Sequence, residues 1–138
     1  MGTSTISVLI VERHPLMREA LQAAIDEAPD LTVAGETAHV TEALLVAASL
    51  APDVFLISLD EPVPEAVAAM GVLRRAQPAA RILALTSEEV TGRERDILNT
   101  VAHTVLTKAT PRAELVHAIR GIAAIRSIAA VRRTATIR

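Results

Sequence analysis

The feature that most constrains the fold of this chain is a regular alternation of short β-branched segments with longer segments of helical apolar spacing. The strand-type segments are Ile6–Val11, Leu31–Gly35, Val54–Leu59, Arg81–Thr86 and Thr104–Thr107. The helix-type segments are Pro15–Ala28, Val40–Leu50, Pro64–Gln77, Val90–Thr100 and a last one that begins at Thr110-Pro111. The pattern therefore predicts five strands and five helices in strict alternation.

Strands that are joined through helices pair in parallel, and right-handed crossovers place the helices on both faces of the sheet. The segment Val54–Leu59 is almost wholly apolar, which is typical of a strand buried on both faces, so we expect it to be central. The chain has 138 residues, enough for one domain of ordinary size. The predicted fold class is α/β, a doubly wound five-stranded parallel sheet with helices on both faces.

Composition excludes several classes of function. The chain has no cysteine, so it forms neither disulfides nor thiolate metal sites. No uncharged stretch approaches the roughly 20 residues of a membrane span, and Met1–Thr5 lacks the pattern of a secretory signal. A formal charge of −2 and a single aromatic residue, Phe55, argue against direct binding of nucleic acid. We expect a cytoplasmic protein with no membrane contact.

In doubly wound sheets, ligand sites lie at the carboxyl ends of the strands, near the point where the strand order reverses. The polar residues at those ends are Glu12, Arg13, Ser58, Asp60, Thr86, Ser87 and Lys108. The chain contains neither a G-x-G-x-x-G motif nor a P-loop, so nothing favours nucleotide binding. These residues form the candidate site.

Several segments together resemble the receiver domain of bacterial two-component response regulators of the NarL/LuxR type, whose fold is flavodoxin-like and CheY-like. The segments are Val8–Leu21, Pro52–Pro62, Arg81–Ser87, Val105–Lys108 and Pro111–Arg120. The resemblance covers the chain from Ile6 to about Ala124 almost without gaps. It implies a receiver domain over residues 1–124 and a basic helix extension or linker over residues 125–138.

The resemblance also implies what has happened to the phosphorylation site. In the family, an acidic pair after the first strand and an aspartate that ends the third strand hold a magnesium ion, and that aspartate accepts the phosphoryl group. Here the pair reads Glu12-Arg13, and the spacing to Pro62 places Ser58 at the acceptor position. Asp60 does not replace it without a slip in the strand register. The resemblance therefore implies an atypical receiver without its phospho-acceptor aspartate.

The remaining family positions are partly kept. Thr86 matches the hydroxyl residue that takes part in switching, and Lys108, the only lysine, matches the family's invariant lysine. Val105 stands at the switch position, where the family has an aromatic residue.

Magnesium binding is predicted to be lost, because Arg13 and Lys108 outweigh the charge of Glu12. We expect Arg13 to bridge to Glu12 or Asp60 as an internal cation; the alternative is that Arg13 extends into solvent. No other cofactor or metal is expected.

Single residues allow further interpretations. Ser58 is a possible target of a serine kinase, and a Ser-His-Asp hydrolase built on Ser58 or Ser87 lacks a G-x-S-x-G motif. A third interpretation keeps phosphoryl chemistry with Asp60 as acceptor. His14 is expected to cap the first helix, and the loop histidines His39 and His103 have no metal-binding spacing.

The C-terminal segment is basic, because no acid follows Glu114 whereas five arginines do: Arg120, Arg126, Arg132, Arg133 and Arg138. The candidate dimerisation surface is the apolar stripe of Leu115, Ile119, Ile122 and Ile125. The alternative is an ordered helix end with a frayed tail. In the NarL/LuxR type this helix leads to a helix-turn-helix module, which is absent from these 138 residues.

The leading hypothesis is a phosphorylation-independent signalling and dimerisation module that controls transcription through a helix-turn-helix output domain outside this chain. It is not expected to be an enzyme. Its regulation is expected to come from its abundance, from a small-molecule ligand at the degenerate pocket or from a regulatory protein. The alternative is a stand-alone receiver-like adaptor for protein–protein interaction through the face between the fourth and fifth helices.

Overall fold

The computed structural model describes residues 5–137, with the side chains of residues 5–125. The strands are β1 (Ile6–Val11), β2 (Leu31–Thr37), β3 (Val54–Ser58), β4 (Arg81–Thr86) and β5 (Thr104–Thr107). The helices are α1 (Pro15–Asp26), α2 (Val40–Leu50), α3 (Val63–Ala76), α4 (Gly92–Leu98) and α5 (Arg112–Ile137). The predicted alternation of five strands with five helices is confirmed.

The five strands form one parallel sheet in the order β2-β1-β3-β4-β5. As predicted, β3 is central, and all five of its residues are buried. The chain leaves β1 in one direction to form β2 and then crosses to the other side of β1 to form β3. The strand order therefore reverses between β1 and β3, which places the topological switch point there.

Helices cover both faces of the sheet, and successive residues of β3 point to opposite layers. Phe55 and Ile57 pack with the buried side chains of α2, α3 and α4, whereas Leu56 packs with those of α1 and α5. Both layers are apolar, so the polar ends of the strands are left at the edges of the sheet. This arrangement confirms the predicted doubly wound α/β fold.

Several element boundaries differ from the predicted ones by one or two residues, as at β3, which ends at Ser58 and not at Leu59. β2 continues to Thr37, and it stays paired with β1 to its end across a register irregularity between Val8 and Leu9. α4 begins at Gly92 because Thr91 Oγ1 accepts a hydrogen bond from the Glu94 amide at 3.1 Å, and the Glu94 carboxylate accepts one from the Thr91 amide at 3.0 Å. This capping box determines where α4 starts.

The predicted dimerisation stripe is wrong for three of its four members. Leu115, Ile119 and Ile122 are only 4%, 0% and 5% exposed, because they fill the core layer between the sheet, α1 and α5. Ile125 is 56% exposed and stays available. α5 runs on to Ile137, but the side chains of the basic extension lie outside the described ones. Between residues 5 and 137 no helix has the length and apolar character to cross a membrane.

Candidate functional site at the carboxyl ends of the strands

Three polar residues at the ends of adjacent strands are buried. Glu12, Ser58 and Thr86 are 1%, 6% and 1% exposed, and no other polar or charged residue in the described part of the chain is buried to this degree. Glu12 Oε2, Ser58 Oγ and Thr86 Oγ1 have no hydrogen-bond partner among the described protein groups. An unpaired polar atom in a protein interior costs about 1–3 kcal/mol, so a group of them indicates a place where another molecule contributes the bonds.

Arg13 and Asp60 form an ion pair above this buried layer. Arg13 Nη1 lies 3.3 Å from Asp60 Oδ2, and the two side chains are 61% and 31% exposed. Of the two carboxylates expected as partners, Arg13 therefore contacts Asp60, and no ion pair with Glu12 is seen among the described residues. Because the guanidinium lies at the rim, it links the loops after β1 and β3 without entering the buried layer.

His14 contacts carboxylates and does not cap α1. It occupies the N-cap position, but its side chain makes no capping hydrogen bond. Its Nδ1 is 3.4 Å from Glu12 Oε1 and its Nε2 is 4.0 Å from Asp60 Oδ2. Pro15 is the first residue of α1 and has no N–H, so the first turn of the helix has one fewer backbone donor that a capping side chain could satisfy. The expectation of a histidine cap was wrong, because the two neighbouring carboxylates are better partners for the imidazole.

Thr86 and Lys108 lie side by side at the ends of β4 and β5. The Lys108 amide donates to the Thr86 carbonyl at 2.8 Å. The Lys108 side chain is half-buried, and in the described part of the chain its ammonium forms no ion pair. Val105 is 8% exposed and packs with the α2–α4 layer. A small branched side chain at that position fills the core and has no aromatic ring that could turn outward.

Two clefts open at this edge of the sheet. A cleft of about 350 Å³ lies between the loops after β1, β2 and β3, and Ser58 is part of its lining. We call it the switch-point cleft. A second cleft, of about 170 Å³, is lined by Thr86, Ser87 and Lys108 together with apolar residues from α3, α4 and their preceding loops. Asp60 and Glu61 line both clefts.

The residues present do not fit a magnesium ion. Mg²⁺ prefers nearly octahedral oxygen ligands, commonly from carboxylates. Among the described residues Glu12 is the one buried carboxylate, and no cluster of three or more histidine or acidic side chains is arranged to hold a metal. Asp60 is already paired with Arg13, and Lys108 adds a second positive charge. The buried layer therefore offers one carboxylate, too few oxygen ligands to hold a magnesium ion, and we assign no chemical step to magnesium.

The other loop histidines have separate environments. His39 precedes α2 and lines the switch-point cleft. His103 lies at the opposite end of the sheet, where its Nδ1 accepts a hydrogen bond from the Ile82 amide at 2.9 Å. Burial and the neighbouring Arg74 and Arg81 lower the pKa of His103 to about 4. His103 is therefore a structural residue and not part of the site.

One wall of the site was not predicted from the sequence. Ala38, His39 and Thr41, in the loop after β2 and the first turn of α2, line the switch-point cleft, as does Glu65 of α3. The loop after β2 carries no acid or lysine that would single it out. The only signal for it was topological, since β2 and β1 are neighbours and their following loops end at the same edge.

Comparison with known proteins identifies the family of this fold and site. The model of the response regulator receiver domain matches residues 8–120. The nitrate/nitrite response regulator NarL of Escherichia coli is 28% identical over 121 residues, which are 86% of this chain and 55% of that protein. The transcriptional regulatory protein LiaR of Bacillus subtilis is 30% identical over 115 residues, 83% of this chain and 54% of LiaR.

A solved structure gives the same result. A LuxR-family two-component response regulator from an Aurantimonas species superimposes with a TM-score of 0.76 at 31% identity, covering 88% of this chain and 86% of that one. The chain spans about half the length of the curated relatives it matches. The fold, the buried ends of the strands and these matches lead to one conclusion: the chain belongs to the response regulator receiver domain family and is of the NarL/LuxR type.

Proposed function

We propose that this receiver domain regulates its output without accepting a phosphoryl group and without binding magnesium. The observation that carries the proposal is Ser58, which occupies the buried end of the central strand with no hydrogen-bond partner for its hydroxyl. A hydroxyl is a weak nucleophile unless a neighbouring base takes its proton, and no described group is within hydrogen-bonding distance to do so.

The contacts of Asp60 support the same proposal. Asp60 is the next carboxylate along the chain, but it lies past the end of β3 and is paired with Arg13 at 3.3 Å. The guanidinium neutralises the carboxylate and occupies one of its oxygens. A phosphoryl transfer to Asp60 would first have to break this pair, with no metal ligands in place to balance the incoming charge.

We further propose that the domain, as a homodimer, controls transcription through a helix-turn-helix output domain and is not itself an enzyme. Support comes from its relatives, one of which is named a transcriptional regulatory protein and is almost twice the length of the matched segment. Regulation then depends on the abundance of the protein, on a regulatory protein or on a ligand that binds one conformation better than another.

The test is a set of amide NMR spectra of the labelled chain before and after addition of magnesium with beryllofluoride, a phosphoryl mimic. We expect no saturable shifts at Glu12, Ser58, Thr86 or Lys108 at millimolar magnesium. A parallel incubation with acetyl phosphate is expected to leave the intact mass unchanged. Saturable shifts, or a mass gain of one phosphoryl group that Asp60→Asn abolishes, would contradict the proposal.

A gain-of-function variant provides a second, positive test of the same proposal. The double substitution Arg13→Asp with Ser58→Asp places two carboxylates beside Glu12 and is expected to respond to magnesium and beryllofluoride. The matched control is Arg93→Asp with Ser49→Asp, which makes the same changes at exposed positions of α4 and α2. Equal responses of the unsubstituted chain and both variants would contradict the proposal that the missing carboxylates prevent magnesium binding.

A further inference from the structure

We propose that the switch-point cleft binds a small organic ammonium ion with an apolar body. The cleft has a volume of about 350 Å³ and lies between the loops after β1, β2 and β3. Ligands of open α/β sheets bind where the strand order reverses, and pockets for small molecules are about 300–1,000 Å³ in volume. The proposal that the cleft binds a ligand depends on this geometry alone, whereas a regulatory role for that ligand rests on the proposed function.

Ser58 is the buried polar anchor of this cleft. It lines the cleft, it is 6% exposed, and its Oγ has no partner among the described residues. A hydroxyl both donates and accepts hydrogen bonds, so it can accept one from a ligand ammonium group. A ligand that supplies this bond removes the cost of an unpaired buried group.

The charges of the lining select a cation. Three carboxylates, those of Asp60, Glu61 and Glu65, line the cleft together with one guanidinium, that of Arg13. The pair between Arg13 and Asp60 cancels one negative charge, which leaves the charges of Glu61 and Glu65 uncompensated. An excess of negative charge in a concave surface raises the local concentration of cations.

The start of α2, which also borders the cleft, does not favour an anion. The first backbone amides of a helix attract negative charge. Here Glu42 already provides it within the first turn of α2, and its Oε1 also accepts hydrogen bonds from the preceding amides of Ala38 and His39 at 3.1 and 3.0 Å. A ligand carboxylate or phosphate would meet a helix end that the chain has capped with its own acid.

Apart from His39 and Thr41, the rest of the lining is apolar. Val11, Val40, Ile57 and Ala69 form the inner walls of the cleft. A ligand with a hydrocarbon body beside its ammonium group buries that body against these walls, which a hydrated metal ion cannot do. The combination of an apolar wall, a buried hydroxyl and two uncompensated carboxylates therefore fits an amphipathic amine.

The test uses three probes of nearly equal shape: cyclohexylmethylammonium, cyclohexylmethanol and cyclohexanecarboxylate. Each is titrated into the labelled chain while amide NMR shifts are followed. We expect saturable shifts around Arg13, Thr41, Ser58 and Glu65 with the ammonium probe, and about tenfold weaker binding of the alcohol and the carboxylate. Binding is expected to weaken as the salt concentration rises.

Two variants and a control locate the site. Glu65→Gln removes an exposed carboxylate without a packing change and is expected to weaken ammonium binding about threefold to fivefold. Ser58→Ala removes the buried hydroxyl and is expected to weaken it by a similar factor. Glu19→Gln, at an exposed position of α1, is the matched control and should have no effect.

Three results would overturn the proposal: no saturable shift with the ammonium probe, equal binding of the alcohol, or tighter binding of the carboxylate. Unchanged binding in both Glu65→Gln and Ser58→Ala would place the ligand elsewhere and would overturn it too. None of these outcomes supports or contradicts the proposed function, which is tested separately with magnesium and beryllofluoride. Conversely, a phosphorylated chain that still binds the amine would refute the proposed function and leave the cleft assignment intact.

Discussion

Lowering the pH should destabilise this domain through one histidine at the end of the sheet opposite the candidate site. His103 Nδ1 accepts a hydrogen bond from the Ile82 amide at 2.9 Å, so this nitrogen must be unprotonated in the folded chain. Burial, followed by the charges of Arg74 and Arg81, lowers the pKa of His103 from its ordinary value of 6.5 to about 4. Protonation of His103 Nδ1 would bring its N–H against the N–H of Ile82 and would place a third positive charge beside Arg74 and Arg81.

The sign and size of the effect follow from linkage. Between pH 6.5 and pH 4 the unfolded chain binds a proton that folded His103 excludes, so the stabilisation is complete above pH 6.5 and is lost as the pH falls through this window. The full difference in pKa corresponds to about 3.4 kcal/mol. Because the ring is only half-buried and water screens it, we expect about 1–2 kcal/mol in total, of which about 1 kcal/mol is lost by pH 5.

The assay is urea unfolding followed by far-UV circular dichroism at pH 7 and pH 5, since the chain has no tryptophan or tyrosine. The variant His103→Asn keeps an acceptor for the Ile82 amide but does not titrate, and it should lose about 1 kcal/mol less than the unsubstituted chain between the two pH values. His117→Asn, at an exposed position of α5, is the matched control. An equal pH response in the unsubstituted chain and His103→Asn would refute the reasoning.

Three further predictions concern stability and local charge. Ile119→Ala, at a fully buried position, should lower the free energy of unfolding by about 2–5 kcal/mol, whereas the half-exposed Ile125→Ala should change it by less than about 0.5 kcal/mol in the same urea assay. Gly121→Ala lies within α5, where a new Cβ meets no atom within 4 Å, and should raise the free energy of unfolding by about 0.5–1 kcal/mol. Arg120 donates to Asp30 at 2.7 and 2.8 Å and holds the pKa of the Asp30 carboxyl below its ordinary value. Arg120→Gln should therefore raise the pKa of Asp30, as measured by NMR titration. An unchanged Asp30 titration would contradict the pairing.

The fold, and the residues at which its inner strands end, could be predicted from the sequence because both depend on the local order of apolar and polar residues. Alternating strand and helix periodicity permits few topologies, and the apolar run before Ser58 determines which residue ends the central strand. The burial of Glu12 and Thr86 follows from the same register, since each sits where an inner strand ends.

Three features were decided only by the tertiary structure. Periodicity shows that Leu115, Ile119 and Ile122 share one face of α5, but it does not show what covers that face, and here it is the sheet with α1. The position of His14 between two carboxylates depends on how the loops after β1 and β3 approach each other.

The switch-point cleft is the third of these features. Its walls come from loops separated by more than twenty residues along the chain, among them those that carry His39 and Glu61. The sequence reports the spacing of apolar residues within each helix or strand. That spacing determined which side chains of this protein fill the two core layers and where its strands end. The distances between loops that follow different strands depend on sheet order and twist, and for that reason the cleft and its charge balance emerge only when the chain is folded.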